Sequence, residues 1–374
     1  MPASRKKRIV LPVIHFNFPE IFSDEPLVRL LNRYEFINQW TVFLAIFLVG
    51  VVDDIIYGAY RGYWNSTSGV VGVFDVNNIP PLIMSLIVMP GMWAFFVGFP
   101  KTLRSLILTI EEKKIILTEE KFVQEQVAWL GDSKSSRLLM VAALPLTGFI
   151  TYYAMSVIGR YKPIPWFYLD RHFWVLLARV LLTAYVSVYS VSWSLLSLFT
   201  LNSVFSKAKI RVNAYDADNA GGLRFVGSFI LMVSRLALIV VPFLVAETLF
   251  AIRLGHGVLG QFNLWLEILI LPALLSFMIF LPLSACRRAM FVAKDDFLNP
   301  LRDKILARVA QTYPGDQISQ PQLAEVTALI DFQAKLRREF PTWPFDVTMT
   351  QQLGASFLLS LLPVIFNIII QLAR

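Results

Sequence analysis

The sequence predicts an all-α fold: a polytopic transmembrane helix bundle of about six to seven spans, with cytoplasmic helical extensions. Three observations predict it. Hydrophobic residues make up 56% of the chain and charged residues only 16%, whereas a soluble domain carries about 25% charged residues. The mean hydropathy is +0.60. The apolar residues also fall in blocks of the ~20 that a bilayer-spanning helix needs.

Seven blocks meet that length: 40–59, 79–99, 138–158, 172–201, 225–250, 264–284 and 353–372. Asp53 and Asp54 interrupt the first, and Pro363 and Asn367 stand in the last. Prolines at positions 90, 145, 242, 272 and 282 do not exclude the other spans, because neighbouring helices can satisfy the freed carbonyls. Lysine and arginine fix the orientation. The connections 1–38, 100–137, 203–224 and 285–352 hold twenty-six of them, and the alternate ones hold five. The N-terminal segment 1–38 is therefore expected in the cytoplasm. The transmembrane bundle covers 39–374, with cytoplasmic helical insertions at 100–137 and 285–352. Seven crossings put the C-terminus outside, and a re-entrant last segment would put it inside.

Each insertion carries its own helical signals. Leu103, Leu106, Ile107 and Ile110 follow Pro100 at helical spacing, so the second span is expected to continue beyond the membrane. Thr118, followed by Glu119 and Glu120, reads as a helix start, since carboxylates favour that end of the dipole. The stretch 286–310 is expected to prolong the sixth span. A helix over about 320–338 then leads through Pro341-Thr342-Trp343-Pro344 into the last one.

The net charge of +8 sits between apolar blocks, which suits orientation and anionic headgroups better than nucleic acid. The bilayer is the expected partner, with a homo-oligomer or a membrane complex beside it, and nucleic acid is not. Arg5, Lys6, Lys7 and Arg8 are followed by Asp24 and Glu25 with no apolar core, so no signal peptide is read there. The single cysteine, Cys286, and the scattered His15, His172 and His256 present no metal or catalytic spacing. No cofactor and no enzymatic activity are expected.

The fourth block carries the most specific pattern. Arg179, Thr183, Ser187, Ser190, Ser194 and Ser197 recur every three or four residues and fall within an arc of about 80° at 100° per residue. Tyr185, Tyr189 and Trp193 fall on another face. A hydroxyl stripe headed by an arginine suits a wet pathway, and equally suits close helix packing through small residues. Charged residues within spans are costly and usually face the bundle interior or water. Arg179 lies ~10 Å in from the external start of its helix. Asp53 and Asp54 share that outer level, with Glu247 and Glu267 near it, and Arg235 sits near mid-membrane. Asp53 or Asp54 is expected to pair with Arg179 at an acidic external mouth. Salt bridges that merely hold the helices in register are the plainer alternative. Ser228, Arg235 and Pro242 share one face of the fifth helix.

The connection from Asp216 through Asp218 to Gly221 and Gly222 lacks a full calcium loop and a phosphate-loop lysine. It reads as a tight cytoplasmic turn with glycine at positive φ. The string Asp218-Asn219-Ala220-Gly221-Gly222-Leu223-Arg224-Phe225-Val226-Gly227 resembles the D-x-A-G-G-L-x-F-[LV]-G element of a family of uncharacterised bacterial multi-pass inner-membrane proteins. There the element usually opens with His-Pro, where this chain has Asp216-Ala217. Leu329 through Arg338, then Pro344-Phe345-Asp346, then Leu361-Leu362-Pro363 resemble that family's acidic-leucine helix, P-F-D and L-L-P elements. The resemblance spans roughly the C-terminal two fifths of the chain. It implies a multi-pass architecture in a bacterial inner membrane and no catalytic residue. The functional expectation is a channel or transporter with a polar path along the fourth span. The alternative is a non-enzymatic scaffold or a subunit of a larger membrane complex.

Overall fold

Asn38 opens the first helix. Its side-chain oxygen accepts from the backbone N–H groups of Trp40 and Thr41 at 2.9 and 3.0 Å. The Thr41 hydroxyl accepts in return from the Asn38 N–H at 2.9 Å, a reciprocal cap that satisfies otherwise orphaned donors. The structure is a computed structural model that describes residues 38–64, 70–71, 79–116, 125–126, 133–158, 164–165, 172–212, 220–253, 262–312, 320–340, 342–345, 347–362, 365 and 369.

Eight long helices follow one another among the described residues. α1 runs Gln39–Tyr60 with a π-helical stretch at Val51–Tyr57. α2 comprises Ile79–Ile83, a π-helical stretch Met84–Val88 and the α-helix Met89–Glu112. α3 is Ser133–Ile158, α4 His172–Lys207, α5 Arg224–Arg253, α6 Phe262–Thr312, α7 Gln320–Glu339 and α8 Val347–Ser360. The one described sheet is a two-residue parallel pair, β1 (Val70–Val71) and β2 (Ile164–Pro165). Among the described residues four helices are long and apolar enough to cross a membrane: α1, α2, α4 and α5. α3 and α6 occupy the third and sixth expected blocks. Of the last block, 353–372, the helix is described only as far as Ser360.

α2 is central and packs against α1, α4 and α5, while α4 also packs against α3 and α6. Side-chain contacts give the directions. Ser85 meets Arg179, Phe96 meets Tyr189 at 5.7 Å and Phe99 meets Trp193 at 6.0 Å between ring centroids, so α2 and α4 run parallel. Phe99 also meets Phe229 at 5.8 Å and Gly91 lies against Ile239, so α5 runs opposite to α2. Gly50 lies against Ser85 and Gly98 against Gln39, so α1 runs opposite to it as well. The segments leaving α2 and α4 meet at a bridge between Ile116 and Ile210, where Arg211 N–H donates to the Ile115 carbonyl at 2.7 Å.

The core continues past Phe99. Leu103, Leu106, Ile107 and Ile110 are buried, as are Val204 and Phe205 of α4. Burying each such side chain stabilises by about 1.5–3 kcal/mol, which holds the extension of α2 as one helix with its apolar half. α6 is continuous over 51 residues, ~76 Å at 1.5 Å per residue. That is more than twice the ~30 Å hydrocarbon thickness. Lys209, just past the end of α4, pairs with Asp296 of α6 at 2.8 Å. Lys294 Nζ donates to the Arg337 carbonyl at 2.7 Å, tying the end of α7 to α6. Thr118, Glu119 and Glu120 lie outside the described residues, as does the N-terminal segment 1–37.

Candidate functional site

Arg179 lies where α1, α2 and α4 converge. One guanidinium nitrogen, Nη1, donates to Asp53 Oδ2 and, at 3.2 Å, to Asp54 Oδ1. The other, Nη2, donates to Asp54 Oδ2 at 3.3 Å and to the Ser85 hydroxyl, and lies 3.8 Å from Met89 Sδ. Ser85 itself donates to Asp54 Oδ2. The side chains of Arg179, Asp53 and Asp54 are 14%, 17% and 9% exposed. Both oxygens of Asp54 are thus engaged by a guanidinium fork whose planar geometry matches a carboxylate.

The backbone arranges this meeting. Adjacent side chains on an α-helix diverge by 100°, so two consecutive carboxylates do not ordinarily share a partner. Asp53 and Asp54 lie in the π-helical stretch of α1, and Ser85 lies in that of α2. Wide turns of this kind recur at functional sites. Around them α1 turns a narrow face inward: Gly50, Asp54 and Gly58 are buried, while Leu44, Leu48, Val52 and Ile56 form an exposed apolar stripe. A Cβ at Gly50 would lie 3.0 Å from Ser85 Oγ and 3.2 Å from the Ser85 carbonyl, so any larger residue there would press on Ser85.

Beyond the cluster the hydroxyl stripe of α4 turns into the protein. Thr183, Ser190, Ser194 and Ser197 are 3%, 2%, 0% and 0% exposed, and Ser187 is half-buried. Tyr189 and Trp193 take a different face and pack on α2. Ser197 donates to the Trp193 carbonyl at 2.9 Å. The hydroxyls of Ser190 and Ser194 are buried without a hydrogen-bond partner, and so are those of Thr147 and Thr151 on α3. Ala143, Thr147 and Thr151 are spaced by four and are the buried residues described on α3, whose principal contact is α4. Thr147 and Thr151 thus lie on the buried face of α3, whose neighbour is α4, while Ser190 and Ser194 lie on the buried face of α4.

Other sequence-derived positions fall elsewhere. Arg235, placed near mid-membrane by its position in the fifth block, has an exposed side chain on α5, as does Ser228. The inward face of α5 is taken by Phe229, Ile230 and Val233. Glu247 and Glu267 lie on α5 and α6, with side chains outside the described set. Gly221 and Gly222 adopt φ of +66° and +86° in a turn that Leu223 N–H closes on the Ala220 carbonyl at 3.1 Å. Asp216 and Asp218 lie outside the described residues. Among the described residues no group of three or more His, Cys, Asp or Glu side chains could hold a metal ion.

No motif or spacing in the sequence marks Ser85 or Met89. One signal was present, since Ser85 is the only hydroxyl in the block 79–99. Comparison of the chain with protein-family models, curated proteins and solved structures finds no match.

Proposed function

We propose that this chain is an integral membrane channel or transporter whose polar path runs from the Arg179 cluster along α4 at its packing with α3. The observation that carries the reading is the set of four buried hydroxyls without partners on those two helices, Thr147, Thr151, Ser190 and Ser194. A buried hydroxyl left unpaired costs about 1–3 kcal/mol, and ordered water removes that cost where polar groups cluster. The cluster at the head of the path joins two carboxylates to one guanidinium. With both carboxylates ionised it carries one formal negative charge in excess, which favours a small cation over an anion.

The span count and sidedness belong to the same proposal. α2 and α4 run in one direction, so a chain crossing with both must return between them. α3, with 26 residues and ~39 Å of length, supplies that return. The Lys/Arg asymmetry supports a cytoplasmic N-terminus, and the family resemblance a bacterial inner membrane. On this reading the far ends of α2, α4 and α6, with α7, form the cytoplasmic layer. One observation favours the scaffold alternative: Val292, Phe297 and Leu306 on α6, with Leu323 and Phe332 on α7, are exposed apolar residues of the size that partners cover.

Flux from proteoliposomes tests the proposal. Wild-type protein is expected to pass a monovalent cation under a diffusion potential. The double variant Ser190→Ala with Ser194→Ala is expected to lose at least about tenfold of that flux, by removing path hydroxyls, with an unchanged melting temperature. No flux under any cation gradient, together with co-purification of a fixed partner, decides for the scaffold.

A further inference from the structure

We propose that the end of α6 and the segment 342–345 form a binding site for the phosphate headgroup of an anionic lipid, anchored by Arg287. The inference rests on the membrane part of the reading above and is independent of the polar path.

The guanidinium carbon of Arg287 lies 4.5 Å from the ring centroid of Trp343 and 5.4 Å from that of Phe291. Stacking of this kind uses the face of the guanidinium and leaves its N–H edges for an oxyanion. Arg287 and Arg288 are both exposed, and among the described residues neither pairs with a carboxylate. Arg288 Nε donates to the Ser284 carbonyl at 3.3 Å, which holds it beside its neighbour.

The surface around this pair changes character along α6. Phe280 stands seven residues before Arg287, two turns or ~10 Å along the same face, and is 61% exposed. Phe277 is 45% exposed. Exposed aromatic surface thus gives way to unpaired cationic surface where the sixth expected block ends at Ser284. Acyl chains meet the first part and a phosphate the second, while Trp343, 39% exposed, sits where amphipathic rings favour the membrane boundary.

The depth of the site follows from its anchor. A Cβ at Gly227 would lie 2.5 Å from Phe345 Cδ1 and 2.6 Å from the Pro344 carbonyl oxygen. The segment carrying Trp343 is therefore pressed onto α5 at Gly227, two residues from Phe229. Phe229 in turn packs on Phe99, two residues before the exposed Lys101. Trp343 is held at that level by packing that does not involve Arg287, so the aromatic wall exists before a ligand arrives. A soluble phosphate would use the cations but not the apolar strip. A lipid uses both, and basic residues at such a surface each add to its attraction for anionic lipid.

Native mass spectrometry of the purified full chain in neutral detergent, titrated with phosphatidylglycerol or phosphatidylcholine, tests the site. Wild type is expected to bind phosphatidylglycerol saturably and in preference to phosphatidylcholine. Arg287→Gln with Arg288→Gln is expected to weaken phosphatidylglycerol binding about 10- to 30-fold, whereas Arg302→Gln on the same helix leaves it unchanged. Should the double variant fail to fold, Arg287→Lys serves, since it keeps the charge and loses the fork, and is expected to weaken binding by a smaller factor. Unchanged binding in the variants overturns the site. Displacement of phosphatidylglycerol by equimolar glycerol 3-phosphate also overturns it, in favour of a soluble anion. Alkaline carbonate extraction separates the two levels of failure. Protein released by carbonate refutes the membrane reading, whereas protein that stays and does not discriminate the lipids refutes this site alone.

Discussion

Arg179 is the side chain on which three helices depend. Its guanidinium engages Asp53, Asp54 and Ser85 together, so removing it strands two carboxylates in a largely water-free place. Breaking a buried pair by deleting one partner costs about 3–5 kcal/mol. Arg179→Gln is expected to lower the melting temperature in detergent markedly. Arg179→Lys should fall between it and wild type, because an ammonium cannot reproduce the fork. A melting curve for Arg179→Gln that overlays the wild type would show that the cluster contributes nothing to stability. The charges of this site were legible one by one, because Asp53, Asp54 and Arg179 stand out in apolar blocks where charge is expensive. Ser85 was not, because its role depends on how α2 is phased against α4, and a single hydroxyl leaves no periodic trace. Arg235 shows the converse. The expense of its charge was readable, but the face it takes is set by which apolar side chains of α5 win the interior.

At the level of elements, the two strings of the family resemblance touch. Gly227 closes the first and Pro344-Phe345 belongs to the second, and the contact leaves no room for a Cβ. The nearest obstacles include a backbone carbonyl, which cannot move aside as a side-chain end can. Gly227→Ala is therefore expected to destabilise by about 1–3 kcal/mol. Gly354→Ala on α8, where nothing lies within 4 Å, is expected to be neutral or to stabilise by about 0.5–1 kcal/mol. Equal melting temperatures for the two variants would remove the clamp. Helices with an apolar period were readable in advance: the burial of Leu103, Leu106, Ile107 and Ile110 follows from their spacing. The extension of α6 was readable too, since the stretch 286–310 was expected to prolong the sixth span. The π-helical stretches of α1 and α2 were not readable. A helix whose outer face meets apolar surroundings has little polar contrast to mark its phase, so a one-residue widening of the turn leaves the pattern of Leu, Ile and Val unchanged.

Across the whole molecule, contacts formed independently of one another divide the connections into two sets. The pair β1–β2 joins the connection after α1 to the one after α3, while the bridge at Ile116 and Ile210 joins the segments leaving α2 and α4. The Lys/Arg asymmetry makes the same division from charge alone, so packing and insertion ask for one arrangement. Sidedness can be read with cysteine chemistry because the native thiol is silent. Cys286 is fully buried, and burial pushes its thiol up to about 12, leaving almost no thiolate near neutral pH. The wild-type chain should stay unlabelled by a membrane-impermeant maleimide in spheroplasts and in lysate alike. In that background Tyr60→Cys, at a position 84% exposed, should label in intact spheroplasts. Lys304→Cys, on the exposed surface of the long extension of α6, should label only after lysis. The opposite pattern would turn the molecule over and put the Arg179 cluster at the cytoplasmic end of the path. Labelling of both in intact cells would place the extension of α6 outside, and no charge rule could then account for the nine Lys and Arg residues of 285–352.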